Sequence, residues 1–223
     1  MEFIGDSITC GYGVDDPDKE HHFKTATEDV TKAYAYKTAL ALNADYSMVS
    51  VSGYGIISGF TNDGNKIPEQ TIPQYYDKLG FSYNKFADSI TVSETEWDFE
   101  RYKPDIIVIN LGTNDMNYAT TDERKAEFED GYLDFLKKVR SLNPDSYIFQ
   151  TYGVMGTSLE ENIENVRRKY MSETGDERIT FIPLTMQDED ADGIVADWHP
   201  SPRTHSLVSQ KVTAAIKKTL GYK

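Results

Sequence analysis

A single cysteine, Cys10, stands in the 223 residues, so neither an intrachain disulfide nor a cysteine-cluster metal site is open to the chain. Basic side chains are also scarce: 23 Lys and Arg face 37 Asp and Glu, a formal net charge of -14. The field of such a surface repels phosphates, which argues against nucleic acid and anionic membranes as partners and disfavours heavily anionic polysaccharides. No apolar run approaches the roughly 20 residues that cross a bilayer, and the N-terminus lacks a basic region followed by an apolar stretch. Nucleotide fingerprints are missing too, since no G-x-x-x-x-G-K-[ST] occurs and neither "GYGVDD" nor "GYGIIS" completes G-x-G-x-x-G. Without repeats, low-complexity tracts or linkers, residues 1–223 are expected to form one domain. Either a cytoplasmic protein or a mature or excised part of a secreted one fits these absences, and a start almost inside a strand favours excision.

What is present is globular: 39% apolar residues, 12% of all residues aromatic. Runs rich in β-branched and aromatic residues predict five strands, at 2–5, 46–52, 105–112, 146–153 and 178–184. Helices are expected between them. In 121–142, Phe128, Tyr132, Phe135, Leu136 and Val139 recur at helical spacing, with Thr120-x-x-Glu123 as capping box and Pro144 beyond the end. Segments 25–43, headed by Thr25-x-x-Glu28, and 158–174 read as further helices, and 202–220 follows Ser201 as N-cap with Pro202 at the first position. Strand–helix alternation predicts an α/β fold with a parallel sheet covered on both faces, whose ligands lie beyond the carboxyl ends of the strands. The stretch from 53 to 104 interrupts the alternation and is expected to be a substrate-side excursion with one helix near Pro73 to Leu79.

Three strands run into polar blocks: "GDS" after the first, "SGYG" after the second, "GTND" after the third, while "DWHPS" precedes the last helix. Taken singly, each block reads as a turn or a cap; Gly5, for example, turns a backbone without a Cβ clash. Together they supply what acyl transfer needs. Ser7 is a hydroxyl nucleophile, His199 a base with a pKa expected near neutrality, and the Ser7 N–H, the Gly53 N–H and the Asn114 side-chain amide are donors for an oxyanion. His21, His22 and His205 have no part in this set. Cys10 reads as a small packing residue, and the acidic run 187–192 as a solvated loop rather than a cation site.

The four blocks resemble those of the SGNH (GDSL) hydrolase superfamily, and the longer strings "FIGDSITCGYG", "VINLGTND" and "DWHPSPRTH" resemble carbohydrate esterase family two, bacterial deacetylases of plant polysaccharides. The likeness runs from residue 2 to about 220. It implies a three-layer α/β/α flavodoxin-like domain, no metal and no cofactor, an extracellular location, and an upstream β-sandwich domain in a longer parent chain. The superfamily's usual Asp-x-x-His is broken, because the residue three before His199 is Ala196. Asp197 lies two before. If the backbone is extended there, its carboxylate shares a side with the imidazole; otherwise a main-chain carbonyl can hold Nδ1. The family is similar to both arrangements. The expected substrate is an acetylated polysaccharide or oligosaccharide such as xylan or glucomannan, with 6-O acetates of hexoses suggested by the resemblance. Trp198, Tyr54 and Trp97 are the candidate sugar contacts. A lipid esterase or thioesterase on this fold would want a broad apolar groove, whereas the excursion "TNDGNKIPEQTIPQYYDKLGFSYNKF" is polar and Tyr-rich. A glycan-binding module with an incidental nucleophile is the remaining alternative.

Overall fold

The structure, a computed structural model, describes residues 1–82, 85–86 and 89–222. In chain order its elements are β1 (Glu2–Gly5), α1 (Ser7–Cys10), α2 (Tyr34–Ala41), β2 (Ser47–Ser50), β3 (Lys85–Phe86), β4 (Ile90–Thr91), β5 (Ile106–Asn110), α3 (Asp122–Leu142), β6 (Tyr147–Val154), α4 (Glu160–Thr174), β7 (Ile179–Met186), α5 (Glu189–Asp192), β8 (Ile194–Val195), β9 (His199–Pro200) and α6 (Pro202–Leu220). Five strands form a sheet in the order β2-β1-β5-β6-β7, every pairing parallel. This is the α/β architecture that the alternation of strands and helices predicts. Gly5 pairs with Ser50 on one side and Asn110 on the other, so the first three polar blocks leave the sheet at the same level.

Side-chain alternation along the strands builds two cores. Ile4, Ile107, Ile109 and Ile148 point to the face covered by α3 and α4, where Phe128, Tyr132, Leu136, Ile163 and Val166 meet them. Phe3, Val108 and Phe149 point to the other, under Tyr34, Ala35, Val208, Val212 and Ile216 of α2 and α6. Each fully buried aliphatic or Phe side chain contributes about 1.5–3 kcal/mol. The two layers therefore hold the strand ends rigidly, and the site rests on those ends.

Several local expectations change. Thr121, not Thr120, caps α3 by accepting the Arg124 N–H at 3.3 Å. The helix expected at 25–43 shrinks to α2, preceded by 3-10 turns at Thr25–Thr27 and Val30–Lys32. Those residues instead pair with the loop after α1, through Asp15 N–H to Thr27 O (3.1 Å) and Asp29 N–H to Gly11 O (3.2 Å). The helix expected near Pro73 is one 3-10 turn, Ile72–Gln74. The excursion adds the β3–β4 antiparallel pair, and its positions 83, 84, 87 and 88 lie outside the described residues. At the chain's end, Ser201 caps α6 by accepting the Thr204 N–H at 3.2 Å, with Pro202 in the first turn, as the sequence predicts.

Candidate active site

Ser7 opens α1, directly beyond β1. Asp6 caps that helix, accepting the Ile8 N–H at 3.0 Å, so the serine's own N–H, at the first helical position, has no acceptor within the helix. Gly5 is there for space rather than for a turn: an added Cβ would overlap Thr9 Oγ1. Facing the serine, His199 Nε2 stands 2.9 Å from Ser7 Oγ. Its Nδ1 lies 3.0 Å from the main-chain carbonyl of Asp197. A carbonyl only accepts, so Nδ1 carries the hydrogen, and Nε2 is left to accept the serine proton. Burial lowers the His199 pKa to about 4, against smaller raising contributions from the backbone of Asp197 and Ala196 and the charge of Asp197. The imidazole is therefore neutral well below the near-neutral value expected from the sequence.

The orienting group is thus the carbonyl of Asp197 and not its carboxylate. The extended backbone on which the carboxylate reading depended is absent. Asp197 (φ 50°, ψ 38°) and Trp198 (φ 58°) are both left-handed, an arrangement that costs of order 1–3 kcal/mol per residue. The turned-away carboxylate helps offset that cost. It accepts from Tyr12 Oη at 2.6 Å and from the Phe23 N–H at 2.9 Å, and it meets His22 Nδ1 at 2.8 Å. Burial works to raise its pKa, but these hydrogen bonds outweigh burial and hold it below the usual value. The same turn is stitched to the 16–21 loop by Ala196 N–H to Asp16 O and Asp197 N–H to His21 O, both 3.0 Å. Tyr12 closes the arrangement by stacking on the His199 ring, centroids 3.9 Å apart. Asp197→Ala is accordingly expected to lower kcat by about 10- to 100-fold, the cost of a slightly misaimed base, and not the roughly 10⁴-fold of a lost triad carboxylate. Steady-state kinetics on an acetyl ester checks this, and a loss of 10⁴ or more would restore the carboxylate to the mechanism.

Gly53 (φ 81°) and Asn114 line the same cleft as Ser7 and His199. Nothing lies within 4 Å of where a Gly53 Cβ would be, so its conformation and not crowding selects glycine. The Asn114 amide donates to Tyr54 O at 2.8 Å and, at a longer 3.3 Å, to Asp6 Oδ2. Burial pushes the Asp6 carboxyl up to about 7. Cys10 lies behind the site, its thiol 3.4 Å from Ser50 Oγ and pushed by burial up to about 12, so it is not a nucleophile.

The cleft over these residues has a volume of about 770 Å³ and is walled by Trp198, Phe60, Phe23, Met116 and Met155. Trp198 is 47% exposed there. Trp97 is elsewhere, in a hollow with Glu2, Phe81 and Phe99, and does not meet the cleft. The Tyr54 ring packs against Tyr75 and Phe81 while its carbonyl serves Asn114, and it is Phe60, not Tyr54, that lines the cleft. Phe60, Phe23 and Met155 lie in irregular segments and Met116 in the 3-10 turn Asp115–Asn117, and nothing in their local sequence marks them; Tyr12 is marked only by standing five residues after Ser7.

Known proteins share this arrangement of chain and fold. A model of the GDSL-like lipase/acylhydrolase family matches residues 3–207. The chain belongs to that family. It is 35% identical over 231 residues to the cellulase/esterase CelE of Acetivibrio thermocellus, an alignment covering 100% of this chain and 26% of that protein. A family two carbohydrate esterase from Clostridium thermocellum, solved in complex with cellohexaose, superposes with a TM-score of 0.84 at 34% identity, over 100% of this chain and 64% of that one. An acetyl xylan esterase from the rumen bacterium Butyrivibrio proteoclasticus gives a TM-score of 0.91 at 26% identity, again over 100% and 64%. The chain thus spans about a quarter of the length of the first relative and just under two thirds of the two solved chains. Among the described residues, no helix is long and apolar enough to cross a membrane.

Proposed function

We propose that the chain is a carbohydrate O-deacetylase, a serine esterase that removes acetyl groups from plant polysaccharides such as xylan or glucomannan, 6-O acetates of hexoses among them. The observation that carries this reading is the Ser7 Oγ to His199 Nε2 contact of 2.9 Å on the floor of an aromatic-walled cleft. Ser7 Oγ attacks the acetyl carbonyl carbon and passes its proton to Nε2. The resulting oxyanion takes hydrogen bonds from the Ser7 and Gly53 N–H groups and from Asn114, which gives up its longer contact with Asp6. As the tetrahedral adduct collapses, the C–O bond to the sugar breaks and Nε2 returns the proton to the departing sugar oxygen. Water then repeats the sequence on the acetyl-serine, leaving acetate and free enzyme.

Trp198, Phe60 and Phe23 offer flat apolar faces to a pyranose, and the acidic surface leaves neutral glycans free to approach. We take residues 1–223 as one catalytic domain of an extracellular enzyme, with room in a longer parent for an upstream β-sandwich. The test is acetate release from 6-O-acetyl hexosides, acetylated xylan and acetylated glucomannan, beside nitrophenyl esters from acetate to octanoate. Trp198→Ala is expected to raise KM on glycans about tenfold, the worth of an aromatic stack of roughly 1.4 kcal/mol, and to leave nitrophenyl acetate turnover intact. A preference for octanoate would sink the carbohydrate reading in favour of a lipid esterase, and glycan binding without acetate release would favour a binding module.

A further inference from the structure

The residue after Asn114 holds a buried charge that the reaction as written does not use. Asp115 is fully buried, and its carboxylate accepts three successive main-chain N–H groups, from Ile56 (2.9 Å), Ile57 (2.8 Å) and Ser58 (3.1 Å). Its neighbour Asn114 grips the same loop two residues earlier, at Tyr54 O. Phe60 N–H closes the loop back on Gly53 O at 2.9 Å. Residues 53–60 are therefore pinned at 54 by Asn114 and at 56–58 by Asp115, and the pinned loop begins at the Gly53 donor and ends at the Phe60 wall of the cleft.

We propose that Asp115 is a positioning residue for the oxyanion hole: by holding the 56–58 amides it fixes the Gly53 N–H relative to the Asn114 amide. This rests on the esterase reading above. A carboxylate suits the task because its hydrogen bonds are charge-assisted, roughly twice as strong as neutral ones, and breaking them strands a buried charge. The loop then has one stable seat. Precision matters here, since a displacement of about 1 Å in a catalytic group costs on the order of 100-fold in rate. Burial does raise the Asp115 carboxyl to about 6, with the three amides pulling the other way.

The test is a double-mutant cycle on nitrophenyl acetate, a substrate too small to need the glycan walls. Asp115→Asn, which keeps one acceptor oxygen but turns the other into a donor facing N–H groups, is expected to lower kcat about 10- to 100-fold with KM within about twofold. Asn114→Ala alone should lose about 100- to 1,000-fold, and the double variant should be no worse than Asn114→Ala, because both changes disable one device. Losses that multiply in the double variant, a change confined to KM, or wild-type turnover in Asp115→Asn would overturn the proposal. If Asp115→Asn does not fold by circular dichroism, Asp115→Glu keeps the charge but displaces it by one methylene from the 56–58 amides, and so loosens the same clamp. Lower kcat at constant KM in that variant supports the assignment, and unchanged kcat rejects it. A wild-type chain inactive on every acetyl ester would sink the esterase reading and this inference with it; an active wild type with a normal Asp115→Asn sinks the inference alone.

Discussion

Ser7→Ala is expected to lose roughly 10⁴- to 10⁶-fold in turnover on acetyl esters while folding as the parent does. Folding is spared because the serine side chain does no structural work at the start of α1: Asp6 caps the helix, and the seryl oxygen's close partner is the imidazole itself. Turnover falls because the covalent route vanishes. What remains is water attack on an ester still polarised by the Gly53 and Asn114 donors, worth about 10³-fold over solution. Alanine leaves the main-chain N–H of residue 7 in place, so the loss reports the nucleophile and not the oxyanion hole. Intact-protein mass spectrometry of the wild type during turnover should show an added acetyl group that maps to Ser7 and is absent from the variant. Activity within tenfold of wild type in Ser7→Ala would remove Ser7 from the mechanism.

Much of this site was legible in the chain because strand ends are legible. A short β-branched run that stops in Gly-Asp-Ser or Gly-Thr-Asn-Asp announces both the strand and the polar side chains at its carboxyl end, and parallel pairing then sets Gly5, Ser50 and Asn110 level. Helices with a strong apolar stripe, such as α3, were equally plain. The helix expected at 25–43 failed where its first half lacks a stripe and its backbone groups are taken by the 11–16 loop, a long-range competition that local propensity does not register. The choice left open at Asp197 has a related cause. Which of its two acceptors, carboxylate or carbonyl, meets His199 depends on left-handed φ values at 197 and 198. Those are stabilised by Tyr12, His22 and Phe23, about 175–185 residues away in sequence. Asp115 closes "GTND", yet the sequence assigns it no role, because its partners are main-chain amides that carry no sequence signature.

His199→Ala is expected to match Ser7→Ala in its loss of turnover, and the wild-type pH profile is expected to be that of an unusually acidic base. The two changes should not multiply, since each breaks the same proton transfer. With the His199 pKa lowered by burial to about 4, the neutral imidazole persists at mildly acidic pH. As far as His199 sets it, log kcat/KM should fall with unit slope only below about pH 4, while protonation of Asp115, raised by burial to about 6, should add a shallower decline between about 6 and 5 as its hold on the 56–58 amides weakens. Stability responds over a higher window. Protonation of His199 favours the unfolded chain, where its pKa is the ordinary 6.5, so its contribution is intact above 6.5 and is lost as pH falls toward 4. His205 acts with the same sign, lowered to about 3 by its burial under α2, where its Nδ1 accepts the Tyr34 N–H at 3.1 Å. Asp6 and Asp115, raised to about 7 and 6, act oppositely, favouring the fold as pH drops toward 3.8. The two buried histidines separate cleanly by variant. His205→Ala should lower the melting temperature yet keep turnover per folded molecule within a few-fold, whereas His199→Ala should keep its fold and lose its chemistry. Equal inactivation by the two substitutions, in folded protein, would mean that the base has been misassigned, and a full unit-slope kcat/KM limb centred near pH 6.5 that persists in Asp115→Asn would mean that the imidazole is hydrated in solution and not buried as it stands beside Ser7.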